Sequence, residues 1–117
     1  MIVGVGVDLV DLTRFESKLI ETPALIERIF TPAERERSMQ SLAGIWASKE
    51  ALIKAIGNPA GLNWQDVTVA KDELGKPHFE VSGATQERSM QMGITSWHLS
   101  ITHDGGMACA FVIAEGN

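Results

Sequence analysis

The chain has 117 residues and a mass of 12.7 kDa, enough for one compact core and too little for two ordinary domains, so a single domain over residues 1–117 is expected. A hydrophobic fraction of 44% beside 21% charged residues excludes a disordered chain, and a formal charge of -5 disfavours a general nucleic-acid binder, which needs a basic surface to displace counterions from phosphates. No cationic leader precedes a long apolar stretch, and no segment approaches the roughly 18 apolar residues of a membrane span, which makes the cytoplasm the expected compartment.

Residues 2–7 alternate Val3, Val5 and Val7 against Ile2, Gly4 and Gly6, the period of a strand, and Asp8 continues the face that carries the two glycines. A strand face stripped of side chains calls for the close approach of another backbone or of a ligand. Gly4-Val5-Gly6 matches a phosphate-binding glycine loop only weakly, because the third glycine and the helix-opening context are missing. Residues 12–29 read as an irregular helix broken near Thr22-Pro23. Thr31-Pro32-Ala33-Glu34 carries a hydroxyl cap, a proline at the first position and an acid at the third, so a second helix is expected to start there.

Residues 42–56 give the strongest helical signal, with Gly57-Asn58-Pro59 as its stop. At about 100° per residue, Lys49 falls near the centre of the apolar stripe, Glu50 at its edge and Lys54 just beyond. A lysine at the centre either snorkels out of the core or pairs with something buried. Residues 66–71 and Pro77–Val81 read as strands joined by Asp72-Glu73-Leu74-Gly75-Lys76, and residues 84–92 as a short helix. Residues 97–102 and 107–114 are strands flanking His103-Asp104-Gly105-Gly106, where Asp-Gly signals a turn. Cys109, the only cysteine, reads as a small reduced core residue. The order of elements predicts an α+β fold, a split βαβ-like antiparallel sheet packed on the long helix.

Asp8 and Glu50 each interrupt a pattern that otherwise reads as core. Such a placement costs several kcal/mol of desolvation unless a cation or hydrogen-bond network compensates it. Two such acids invite a hard divalent cation, magnesium, with water and phosphate oxygens in its other positions and Lys54 supplying positive charge to a phosphate. Glu50 and Lys54 also fit an ordinary helix salt bridge worth about 0.3–0.5 kcal/mol. His103, beside a turn, reads as a general base, a phosphate donor or a plain surface residue. His78 and His98 lie within strands and share no metal-ligand spacing with it. Residues 1–54 hold seven basic and eight acidic residues against three and seven in the remainder, so an anionic ligand or acidic partner is better sought in the first part.

Gly-Val-Gly-Val-Asp-Leu-Val (residues 4–10) with Arg14 and Phe15, Arg28-Ile29-Phe30-Thr31 with Glu34, and Leu42-Ala43-Gly44 leading into Ala47-Ser48-Lys49-Glu50-Ala51 and Lys54-Ala55 form an ordered set. With Leu74-Gly75-Lys76-Pro77 and Leu99-Ser100-Ile101-Thr102-His103-Asp104, that set resembles the holo-[acyl-carrier-protein] synthase family from residue 2 to about residue 114. The resemblance implies a 4'-phosphopantetheinyl transferase fold. It also implies transfer of the 4'-phosphopantetheine arm of coenzyme A to a serine of apo acyl carrier protein, with release of adenosine 3',5'-bisphosphate. By motif, Asp8 and Glu50 fall on the Mg2+ ligands. A metal-bound or carboxylate-bound water is the favoured base for the serine proton, with Glu50 orienting it and Asp8 as the competing candidate. Lys49 and Lys54 fall where the family contacts coenzyme A phosphates, His103 on a nucleotide contact, and Gly75, Lys76 and Pro77 in a loop near the nucleotide. Arg14, Lys18 and Arg28 are the expected docking residues for an acidic carrier protein. A homotrimer with sites between neighbouring subunits is implied as well. The chain departs from the family in carrying Ile45 where arginine is common, so one nucleotide phosphate contact is missing or supplied elsewhere, and it is also shorter than many relatives between Glu34 and Leu42. A non-catalytic module and a metal-dependent phosphohydrolase are the competing classes. The first has no need of Lys49-Glu50 in an apolar stripe, and the second lacks another metal-ligand cluster.

Overall fold

A computed structural model describes residues 1–117. Its elements run β1 (Ile2–Asp11), α1 (Leu12–Glu21), α2 (Ala24–Ile29), α3 (Met39–Ala55), β2 (Val67–Lys71), β3 (Pro77–Val81), α4 (Gly83–Gln91), β4 (Ile94–Asp104) and β5 (Met107–Gly116). The α+β order expected from the sequence is the order found. β1, β5 and β4 form one antiparallel sheet with β5 in the middle, while β2 and β3 form a separate hairpin that lies against β4 through β3.

The glycines of β1 are explained by α3. A Cβ on Gly4 or Gly6 would collide with the carbonyl oxygens of Ala55 and Ala51 respectively, so only a bare backbone lets the helix lie this close to the strand. The neighbouring strand is built to match. Ala108, Ala110, Val112 and Ala114 of β5 point to the same side and are fully buried, and Ala47 and Ala51 do the same from the helix. Larger anchors fill the flanks of this close packing. Leu52 and Phe30 are completely buried, each worth about 1.5–3 kcal/mol in apolar area removed from water.

The 17-residue α3 starts where Ser38 Oγ accepts from Ser41 N at 3.2 Å. It stops where Gly57 and Asn58 turn left-handed at φ +84° and +53°, as the Gly-Asn-Pro signal predicts. The expected start at Thr31 is corrected. Thr31 N donates to Glu34 Oε1 at 2.8 Å, one half of a capping box, but Glu34 N donates to the backbone Thr31 O at 2.9 Å while the Thr31 hydroxyl pairs with Thr68 Oγ1 at 3.1 Å. Lys49 Nζ and Val69 N claim the same carboxylate, which is drawn inward, and residues 32–36 remain a turn.

The opposite face of the sheet is apolar and uncovered: Val5, Val7, Leu9 and Phe111 are exposed there. Cys109 belongs to this face and is half-buried, which corrects its reading as a core residue. Ala108 and Ala110 take the inward positions on either side, and strand alternation leaves Cys109 the outward one. Between β4 and β5 the turn residues are Gly105 and Gly106, at φ +57° and +77°, the left-handed pair that a two-residue hairpin requires. His103 and Asp104 therefore continue β4, paired to Ala108 and Met107. No helix is long and apolar enough to cross a membrane.

Candidate active site

Asp8 follows Gly6 on the helix-facing side of β1, and Glu50 and Lys54 project from α3 one turn apart, so close helix packing brings the three together. Lys54 Nζ donates to Asp8 Oδ1 at 2.9 Å and to Val7 O at 3.1 Å. Its partner is thus the strand carboxylate rather than Glu50, with the Asp8 side chain 16% exposed and that of Lys54 52%. Burial raises the Glu50 carboxyl above the usual glutamate range, the negative charge of Asp8 raises it further, and Lys54 opposes both. Two carboxylates held this way, with one half-exposed ammonium between them and the solvent, suit a hard divalent ion that takes few protein oxygens and keeps water and phosphate in the rest of its shell. They line an open cleft of about 550 Å³ together with Arg14, Lys18 and Trp46. Arg14 stands at the start of α1, where Asp11 caps the helix by accepting from Arg14 N at 3.0 Å.

Gly75, Pro77 and His103 meet in a different cleft, about 230 Å³, with Arg37, Ser41, Gly44 and Lys71. His103 Nε2 donates to Gln40 O at 3.0 Å, which fixes the ring against the first turn of α3. Gly44 leaves room for it, since a Cβ there would lie 3.1 Å from His103 Nε2. The loop before β3 is tied by Asp72 Oδ1, which accepts from Leu74 N and Lys76 N, both at 2.9 Å. The Lys76 amide is the main cause holding the Asp72 carboxyl below its usual range. Lys76 itself turns to a neighbouring cleft of about 440 Å³ with His78, Trp97 and His98. The residues singled out from the sequence thus fall into separate groups within one chain. Asp8, Glu50, Lys54, Arg14 and Lys18 line one cleft, Gly75, Pro77 and His103 another, and Lys76 faces a third.

Lys49 is the correction among them. Its side chain is fully buried, and its ammonium donates to Glu34 Oε1 at 2.7 Å, Ile29 O at 2.8 Å and Trp64 O at 3.2 Å. All three protons are engaged, so Lys49 has none to offer a coenzyme A phosphate. Burial pulls this ammonium below the ordinary lysine range, while the hydrogen bond and charge of Glu34 hold it up. Glu34 is the matching hub: its second oxygen accepts from Val69 N at 2.7 Å. Of the expected docking residues, Arg28 is exposed and shares with Lys18 a fourth, apolar hollow of about 190 Å³ lined by Leu25, Trp46 and Trp64. Sequence reasoning did not single out Glu34, Arg37 or Lys71 for a role. The signal for Glu34 was its place fifteen residues before an otherwise unexplained buried lysine.

A long helix laid on a glycine-stripped strand thus brings acids from both to one end, beside a half-exposed lysine. The sequence model of the 4'-phosphopantetheinyl transferase superfamily matches residues 4–112. Holo-[acyl-carrier-protein] synthase from Clavibacter michiganensis subsp. michiganensis is 50% identical over 117 residues, covering 100% of this chain and 98% of the relative. The crystal structure of holo-[acyl-carrier-protein] synthase from Neisseria meningitidis is 31% identical with a TM-score of 0.90, over 98% of this chain and 99% of that one. That of the Helicobacter pylori synthase in complex with coenzyme A is 30% identical with a TM-score of 0.83, over 95% and 99%. The chain belongs to the holo-[acyl-carrier-protein] synthase family of phosphopantetheinyl transferases.

Proposed function

We propose that this enzyme transfers the 4'-phosphopantetheine group of coenzyme A to a serine of apo acyl carrier protein in the cytoplasm, in a Mg2+-dependent reaction that releases adenosine 3',5'-bisphosphate. The observation that carries this reading is the Asp8–Glu50–Lys54 cluster, where two carboxylates crowd a single ammonium and Glu50 is pushed up in consequence. A coenzyme A complex in a relative of the same fold supports the choice of donor.

The serine hydroxyl attacks the β-phosphorus, forming the serine O–P bond and breaking the pyrophosphate bridge. Charge builds on the non-bridging and bridging oxygens as it does so. Bound magnesium, held by Asp8 and Glu50, supplies charge neutralisation on the pyrophosphate. Lys54, swung from Asp8, adds an ammonium to the same oxygens. Glu50 orients a water that takes the serine proton, with Asp8 as the alternative acceptor. Arg14, Lys18 and Arg28 meet the acidic carrier from α1 and α2, which makes encounter sensitive to salt.

Three copies of the chain complete the site. The uncovered apolar face of Val5, Val7, Leu9 and Phe111 supports such an assembly. So does the separation of the acid cleft from the cleft of Gly75, Pro77 and His103, because one subunit's acids then work with the neighbour's nucleotide contacts. Incubation with coenzyme A, magnesium and apo carrier, followed by weighing the carrier by mass spectrometry, tests the reading. A magnesium-dependent gain of one phosphopantetheine is expected, and its loss in Asp8→Ala. No gain across several apo carriers would refute it.

A further inference from the structure

The two lysines in the second half of α3 are held in opposite ways. Lys49 is fully buried and engages all three of its protons with acceptors inside the chain. Lys54 is half-exposed and engages two, with Asp8 Oδ1 at 2.9 Å and Val7 O at 3.1 Å. An ammonium carries three donors, so Lys54 has one left over. Its ordinary helical partner is Glu50, four residues earlier. The ammonium lies on Asp8 instead, across the strand–helix contact that the glycines of β1 make close.

The oxygen that Lys54 covers is one that a divalent ion at this site also needs. Asp8 has its side chain largely buried, and it shares the cleft with Glu50, Arg14 and Lys18. A divalent ion on Asp8 beside the bound ammonium sets like charges a few ångströms apart, in a place where water screens them only in part. Lys54 thus fills the role of a cation between the two acids when no metal is there. It can also leave. More than half of its side chain is exposed, and its stem is long and flexible, so release from Asp8 opens no cavity in the core. Of the two acceptors that hold it, Val7 O is neutral. A doubly charged pyrophosphate in the same cleft gives the released ammonium a stronger acceptor than that carbonyl.

Resting on the magnesium and coenzyme A reading above, we propose that Lys54 is an internal antagonist of the metal, and that the donor's pyrophosphate relieves the antagonism. In the chain without donor, Lys54 competes with magnesium for Asp8 and weakens its binding. When coenzyme A is bound, the ammonium transfers its hydrogen bond from Asp8 to a pyrophosphate oxygen, and Asp8 becomes free for the metal. Lys54 is therefore a coupling residue: part of the increase in magnesium affinity on donor binding passes through it.

The test is a magnesium titration followed by backbone amide NMR shifts, without carrier protein, in the presence and absence of coenzyme A. It compares wild type with Lys54→Met, Lys54→Gln, Lys54→Arg and Lys18→Met. Without coenzyme A, Lys54→Met and Lys54→Gln bind magnesium about fivefold more tightly than wild type, and Lys54→Arg stays close to wild type. Lys18→Met removes a charge from the same cleft without touching Asp8, and changes the affinity far less. With coenzyme A the advantage of the two neutral variants disappears or reverses, so the donor-driven gain in magnesium affinity is smaller than in wild type. Neutral variants that bind magnesium no more tightly than wild type overturn the proposal and leave the metal reading standing. An equal effect of Lys18→Met, or an undiminished donor-driven gain in Lys54→Met, overturns it as well. If neither wild type nor any variant binds magnesium in either condition, the metal reading itself falls and the proposal with it.

Discussion

Replacing Lys49 with methionine keeps the length and apolar stem of the side chain and removes only its charge. The loss falls on three acceptors at once: the Glu34 carboxylate at 2.7 Å, Ile29 O at 2.8 Å and Trp64 O at 3.2 Å, and it also removes the ammonium 5.7 Å from the centre of the Phe30 ring. Both partners of the pair are fully buried, so Glu34 is left as an uncompensated interior charge with only Thr31 N and Val69 N to stabilise it. Breaking a buried pair from one side typically costs about 3–5 kcal/mol, a large share of the 5–15 kcal/mol expected for a whole domain. In thermal unfolding followed by circular dichroism, Lys49→Met should melt roughly 10–25 °C below wild type. Adding Glu34→Gln to it removes the stranded charge and keeps an acceptor for one of the two backbone amides, Thr31 N or Val69 N, so the double variant should recover part of the loss. A Lys49→Met protein within about 1 kcal/mol of wild type, or a double variant weaker than the sum of the singles, would refute the account of a paired interior lysine.

Glu50→Gln should stabilise the protein while abolishing magnesium-dependent transfer. An acid whose pKa is raised on folding binds its proton more readily in the native state, so stability falls as pH climbs from the ordinary glutamate pKa through the raised one. In urea melts without magnesium the variant should exceed wild type at neutral pH, and the gap should close on acidification; a gap that widens in acid contradicts the burial of Glu50 beside Asp8. Gly6→Ala sets a methyl against the carbonyl oxygen of Ala51 and should destabilise by about 1–3 kcal/mol in the same melts; wild-type stability would mean that α3 does not lie this close. Phe111→Glu places a charge on the uncovered sheet face and, if the proposed trimer forms through that face, should leave a monomer in sedimentation with loss of transfer; an active monomer would show that the site is complete in one chain.

Much of this arrangement was legible because it rests on local rules. The glycine-stripped face of β1 announced a close neighbour, and the 3.6-residue period put Glu50 and Lys54 at the edge of α3. What stayed hidden depends on partners distant in sequence. Helical phase set Lys49 toward the interior, but its partner comes from a turn fifteen residues earlier, so snorkelling and pairing read alike. The helix-start motif at Thr31 kept only its acid-to-amide bond and opened no helix: Lys49 and Val69 share its acid, and its hydroxyl pairs with Thr68. Cys109 was misplaced because an apolar run looks the same whether one face or two are covered within the chain.

The burial of Lys49 against Glu34 also explains how adjacent residues serve opposite sides of α3. Successive helix positions differ by about 100°, so anchoring Lys49 against Glu34 turns Glu50 toward the strand that carries Asp8. The same Glu34 holds the backbone of the turn that presents Arg37, and its bond to Val69 N ties down β2, which ends at Lys71. One buried ion pair thus orients both clefts together, although both of its members are sealed in the interior. This separates it from an ordinary stabilising pair. A folded Lys49→Met protein, assayed well below its melting temperature, should need more magnesium for half-maximal rate and show a higher KM for coenzyme A at the same time, whereas a purely structural pair would lower the amount of active enzyme and leave both constants where they were.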